Sequence, residues 1–137
     1  MKYSRYLVVF IALLSFGLAS AEEGEEKRVV ATVDADGVQR VEVLGGSYFF
    51  DPNYIVVKVN VPVELAVKKE AGMAPHNIVM KEPDAGIEFD VTMGTEPKVI
   101  TFTPTKVGTY PVTCEKRLLF FKSHKDRGMK GVLEVVK

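Results

Sequence analysis

The chain has 137 residues, of which 47% are apolar, and a formal net charge of zero. That length supports one domain with a buried core. The balanced charge leaves no electrostatic case for nucleic acid as a partner. Tryptophan is absent, and a composition rich in Gly, Pro, Val and Thr favours strands over helices.

The N-terminus reads as an export signal. Lys2 and Arg5 give a positive start, Leu7 to Leu14 is an unbroken apolar run, and Ala19-Ser20-Ala21 is a small-residue cleavage site. The run is short for a spanning helix, which needs about 20 residues. Residues 1–21 are therefore expected to be removed, leaving no stable membrane anchor. No cysteine stands near the cleavage site to take a lipid. The expected location is the periplasm or the exterior, where the compartment is oxidising. A single cysteine there has no internal disulfide partner and needs another explanation. Metal coordination is one; an intermolecular disulfide or an inert buried thiol is the alternative.

Residues 22–37 form an N-terminal extension with the first strand, and residues 38–137 form the main domain. Val29 to Asp34 and Val38 to Leu44 alternate around an Asp36-Gly37 turn, the pattern of a hairpin. Ser47 to Phe50 is short and aromatic, and Asp51-Pro52-Asn53 turns the chain. Ile55, Val57 and Val59 share one face of the next run, as do Val63, Leu65 and Val67 of the one after. His76 to Met80 restarts a strand. Ile87 to Met93 is a weak strand or an irregular crossover. Val99 to Thr103, Thr109 to Cys114 and Gly131 to Val136 complete the series. About seven or eight short strands, with turns at intervals of roughly 8–12 residues, predict an all-β Greek-key sandwich.

Chemistry concentrates between Cys114 and Met129. This stretch holds the only cysteine, the second of two histidines (His124) and a methionine five residues beyond it; His76 lies upstream. An isolated histidine is more often a satisfied polar residue, and an isolated methionine is usually core filler. The conjunction of all four at strand ends is the stronger signal. Two imidazoles, a thiolate and a weak axial thioether suit copper that alternates between Cu(I) and Cu(II). Cys and His also bind zinc. Asn77, beside His76, is placed to bridge loops by hydrogen bonds. Gly128, beside Met129, would let the backbone approach the metal.

The sequence resembles the cupredoxins, the blue copper proteins, with a plastocyanin-like spacing from His124 to Met129. The matching pieces are Phe50-Asp51-Pro52, Pro75-His76-Asn77, Phe102-Thr103-Pro104 with Gly108-Thr109-Tyr110, Cys114, His124, and Gly128-Met129-Lys130-Gly131-Val132. The resemblance implies a type 1 copper site in a Greek-key β-sandwich and one-electron transfer. It implies His76, Cys114 and His124 as equatorial ligands and Met129 as axial ligand. The chain departs from the family in its long spacer, Glu115 to Ser123, where familiar members have fewer residues. Glu115, next to the thiolate, is an alternative oxygen ligand.

Residues 115–130 carry six basic and two acidic side chains around Leu118-Leu119-Phe120-Phe121. The loop Lys116–Lys130 is expected to dock an acidic redox partner. The alternative is that the four apolar residues fold back as extra core. A copper chaperone, store or sensor would use the same ligands without electron turnover. Multicopper enzymes need more histidines than this chain has, and a binuclear copper centre needs a second cysteine. The expectation is therefore not an enzyme.

Overall fold

The computed structural model describes residues 24–117, 119 and 121–137; the expected signal, residues 1–21, lies outside them. In chain order the strands are β1 (Arg28–Val30), β2 (Gln39–Gly46), β3 (Phe49–Asp51), β4 (Tyr54–Lys58), β5 (Val63–Lys69), β6 (Asn77–Glu82), β7 (Ile87–Thr92), β8 (Lys98–Phe102), β9 (Gly108–Thr113) and β10 (Lys130–Val136). A 3-10 turn, Pro83–Ala85, joins β6 to β7. The all-β sandwich is as expected. Its ten strands, among the described residues, exceed the anticipated count of about eight because the short aromatic β3 and the weakly patterned β7 both pair as strands.

The strands form a six-stranded sheet, β1-β4-β10-β9-β6-β7, and a four-stranded sheet, β3-β2-β5-β8. Most connections pass from one sheet to the other, the habit of a Greek-key sandwich. Val41, Val43, Leu65 and Val67 from the smaller sheet meet Ile55, Val57, Ile78, Met80, Leu133 and Val135 from the larger. The alternation of Val63, Leu65 and Val67 puts all three in the core. Val56 and Val79, on the opposite faces of β4 and β6, are buried as well, because both strands are interior to the larger sheet.

The hairpin expected at Asp36-Gly37 does not form. Its turn closes, with Val38 C=O accepting from Asp34 N–H at 2.9 Å, but one isolated bridge, Val33 with Gln39, is all that follows. β1 instead runs parallel to β4, and β2 runs parallel to β5 in the other sheet. The local turn chemistry set the turn. The pairing partner was chosen by where Val41 and Val43 could be buried. Ile87 to Met93 is resolved as a strand: β7 pairs antiparallel with β6 from Asn77–Thr92 to Glu82–Ile87.

Strands β6, β9 and β10 are neighbours, and β9 is antiparallel to both others. The start of β6, the end of β9 and the start of β10 therefore lie at one end of the sandwich. His76 precedes β6, Cys114 follows β9, and Met129 precedes β10. Antiparallel pairing alone thus gathers residues that lie far apart in sequence.

Candidate metal centre

His76, Cys114 and His124 each bring one donor atom to within 4.8 Å of the others. The two Nδ1 atoms lie 3.1 Å apart, and Cys114 Sγ lies 3.6 Å from Nδ1 of His124. A first-row ion with bonds of about 2.0–2.1 Å to nitrogen and about 2.3 Å to sulfur fits between donors so spaced. All three residues are buried, His76 at 4% exposure and His124 at 3%. Met129 is fully buried on the same loop, its methyl packed over Gly45, where a Cβ would lie 3.3 Å from it.

The long spacer does not stretch the site, because it is pinched off at its base. His124 N–H donates to Lys116 C=O at 2.8 Å, and Lys125 N–H donates to Cys114 C=O at 3.0 Å. Cys114 N–H donates to Met129 C=O at 3.1 Å, and Met129 N–H donates to His124 C=O at 2.9 Å. These bonds close a compact ring of backbone that carries Cys114, His124 and Met129. The additional residues leave it as an outward bulge. Leu119 is 75% exposed and Phe121 56% exposed, so these two do not fold back as core; Leu118 and Phe120 lie outside the described residues. Gly128 has φ 98°, and nothing but the Tyr48 carbonyl, at 4.0 Å, stands near its missing Cβ. It makes a left-handed turn before Met129.

Asn77 does bridge loops. Its backbone N–H points at Cys114 Sγ at 3.5 Å, and its Oδ1 accepts from Glu115 N–H at 2.8 Å. Its Nδ2 donates to Asp90 at 2.8 Å, which fixes the amide's orientation. The Glu115 carboxylate is turned away to an exposed pair with Lys81, at 2.9 and 3.1 Å, so the alternative of an oxygen ligand has no support here. Sequence reasoning missed Asp90 and Tyr48. The Tyr48 ring meets His124 edge-on, with centroids 5.3 Å apart. No pattern in the sequence marks either residue, since their roles arise from long-range packing.

The electrostatics favour neutral imidazoles. Burial holds His76 below the usual histidine range, reinforced by the charges of His124 and Lys69. Burial does the same to His124, with Arg127 adding to it. A neutral ring has one nitrogen lone pair to offer a metal, which a protonated ring lacks.

Comparison with protein families matches the cupredoxin-like domain over residues 7–133. The chain belongs to the cupredoxin family. The family and the donor set together identify the cofactor as a single copper ion. Among solved structures, this cupredoxin resembles the metal-binding domain of the Cu(I)-exporting P-type ATPase CopA of Streptococcus pneumoniae D39. The two are 22% identical, with 83% of this chain and 100% of that one covered and a TM-score of 0.61. Auracyanin A, a blue copper protein from Chloroflexus aurantiacus, is 21% identical, with 73% and 100% covered and a TM-score of 0.53. A copper-binding protein in its apo form is 24% identical, with 79% and 96% covered and a TM-score of 0.55. At such identities the likeness is one of fold. A search of curated proteins found no match. Among the described residues no helix is long and apolar enough to cross a membrane.

Proposed function

We propose that this cupredoxin is an exported, mononuclear copper protein that carries single electrons, with His76, Cys114 and His124 as equatorial ligands and Met129 as axial ligand. Bound copper supplies the Cu(I)/Cu(II) couple. The observation that carries the reading is the burial of three converged donors in a backbone ring closed by hydrogen bonds. Donors held this way keep their positions when the charge of the ion changes, which is what rapid electron exchange requires. They are also poorly placed for ligand exchange with an acceptor protein, which needs donors open to solvent. Asn77 and Asp90 hold the cysteine end of the site still. The chain's two histidines leave none for a further copper centre, so the reading is a carrier and not an enzyme.

The second reading is copper delivery or storage with the same ligands. It draws on the likeness to the metal-binding domain of a Cu(I) exporter. Cyclic voltammetry with a copper-transfer assay separates the two. A reversible couple with fast self-exchange supports the carrier; an irreversible couple with rapid transfer to an acceptor chelator sinks it.

Export rests on the signal-like residues 1–21, with 22–37 as the extension and 38–137 as the copper domain. Mass spectrometry of the mature N-terminus tests the cut after Ala21. The expected partner is an acidic redox protein meeting the basic loop Lys116–Lys130, where Leu119 and Phe121 are exposed beside Lys122, Lys125 and Arg127. Its rate of electron exchange should fall as salt rises; a salt-insensitive rate removes the steering.

A further inference from the structure

Four side chains form a relay of contacts from the surface to the donors. The Phe121 ring lies 5.8 Å from the Arg127 guanidinium carbon, which lies 4.9 Å from the centre of the Tyr48 ring. Arg127 Nη1 also donates to the Tyr48 hydroxyl at 2.9 Å. The Tyr48 ring then meets the His124 imidazole, their planes 71° apart. A second observation sets Tyr48 apart. It occupies the third position of the turn joining β2 to β3, with φ 69°, where glycine or asparagine is the usual choice. A bulky residue persists in that conformation when its surroundings over-determine it. The surroundings here are His124 on one side and Arg127 on the other.

Resting on the copper reading above, we propose that Arg127 and Tyr48 are positioning residues. They latch the long metal loop to the β2–β3 turn, orient His124, and hold a fixed positive charge beside the site that favours the monovalent ion. The nearest acidic side chain in sequence, Asp126, is turned to Ser123 Oγ at 2.6 Å. The Arg127 guanidinium carbon and the His124 ring lie 4.9 and 5.3 Å from the centre of the Tyr48 ring, and so no more than about 10 Å apart. At effective dielectric constants of about 20 to 80, removing that charge shifts the relative affinity for Cu(II) over Cu(I) by about two- to fifteenfold.

The test uses the whole chain as wild type, Arg127→Gln, Arg127→Lys and Tyr48→Phe. Amide hydrogen exchange over residues 115–128 of the metal-free protein reads the latch. Competition titrations with Cu(I) and Cu(II) read the charge. Arg127→Gln and Tyr48→Phe should speed exchange by about fivefold or more. Arg127→Gln should also move the affinity ratio toward Cu(II) by about two- to fifteenfold. Arg127→Lys should loosen the loop yet keep the wild-type ratio, because it keeps the charge and loses the planar contact. Wild-type exchange in Arg127→Gln, or an unchanged ratio, overturns the proposal. A wild-type chain that takes up no copper defeats the electron-carrier reading instead, and exchange in the metal-free protein still decides the latch.

Discussion

The loop between β9 and β10 contains two regions built on opposite terms. Its base, with Cys114, His124 and Met129, is buried and cross-tied by backbone hydrogen bonds. Its outer part is exposed and basic, and presents Leu119 and Phe121 to solvent. The contrast teaches where a metal loop tolerates insertion. Length added beyond the Lys116–His124 pinch adds surface and charge without lengthening the ring that sets donor positions.

Removing a donor from the base is the strongest challenge to this division. Cys114→Ser should abolish any sulfur-to-copper charge-transfer band and weaken copper binding beyond the ~10–100-fold typical of losing a ligand's supporting group. Visible and electron paramagnetic spectra after Cu(II) addition check it, and an unchanged band would refute the thiolate. Asn77→Ala removes such a supporting group and should cost about 10–100-fold in copper affinity with a shifted band. Competition titration reads that effect.

Acid sharpens the comparison, because the two titrating groups belong to His76 at the start of β6 and His124 at the base. Both are held below the ordinary imidazole range by burial. The imidazoles should add to the pH dependence of copper affinity only below about pH 6.5, by at most about tenfold per pH unit each, on top of the slope from the proton that Cys114 releases when it binds. The metal-free fold follows the same sign. Below about pH 6.5 the unfolded chain binds protons that the folded chain refuses, so stability is full above that pH and lost as pH falls. Melts of the metal-free protein between pH 5 and 8 test the histidines directly, and a loss of stability that begins well above pH 6.5 contradicts their buried, neutral state.

The mildest expected change comes from the outer part. Excising Arg117–Lys122 and closing the gap should leave copper affinity within about threefold and shift stability by about 1 kcal/mol or less, since closure entropy varies slowly with loop length. Calorimetry and copper titration measure it. A collapse of binding would mean that the bulge supports the donors after all.

Much of this was readable from sequence, for identifiable reasons. Period-2 alternation in Val63-Leu65-Val67 and Ile55-Val57 located core strands, because a half-buried strand leaves that imprint. The convergence of His76, Cys114 and His124 was legible because few residues of those types exist, and two of them, His76 and Cys114, flank strands directly. The hairpin at Asp36-Gly37 failed because turn chemistry is local whereas the partners of β1 and β2 were set by distant burial. Tyr48 left no trace, because a positive φ at tyrosine and an edge-on ring contact are properties of the assembled molecule. The pinch at Lys116 was equally hidden, since backbone hydrogen bonds carry no side-chain signature.

Strands β6 and β9 share one registered pair, Val79 with Thr113. Toward the metal end the seam is spanned by the Asn77 side chain instead of a continuous ladder. His76 stands on the β6–β7 side of that seam, and Cys114, His124 and Met129 stand on the side of β9 and β10. On the copper reading, an ion held by donors on both sides would act as a rivet through a join that has a single registered pair. Loading the protein would then strengthen mechanically a seam that backbone pairing alone holds lightly.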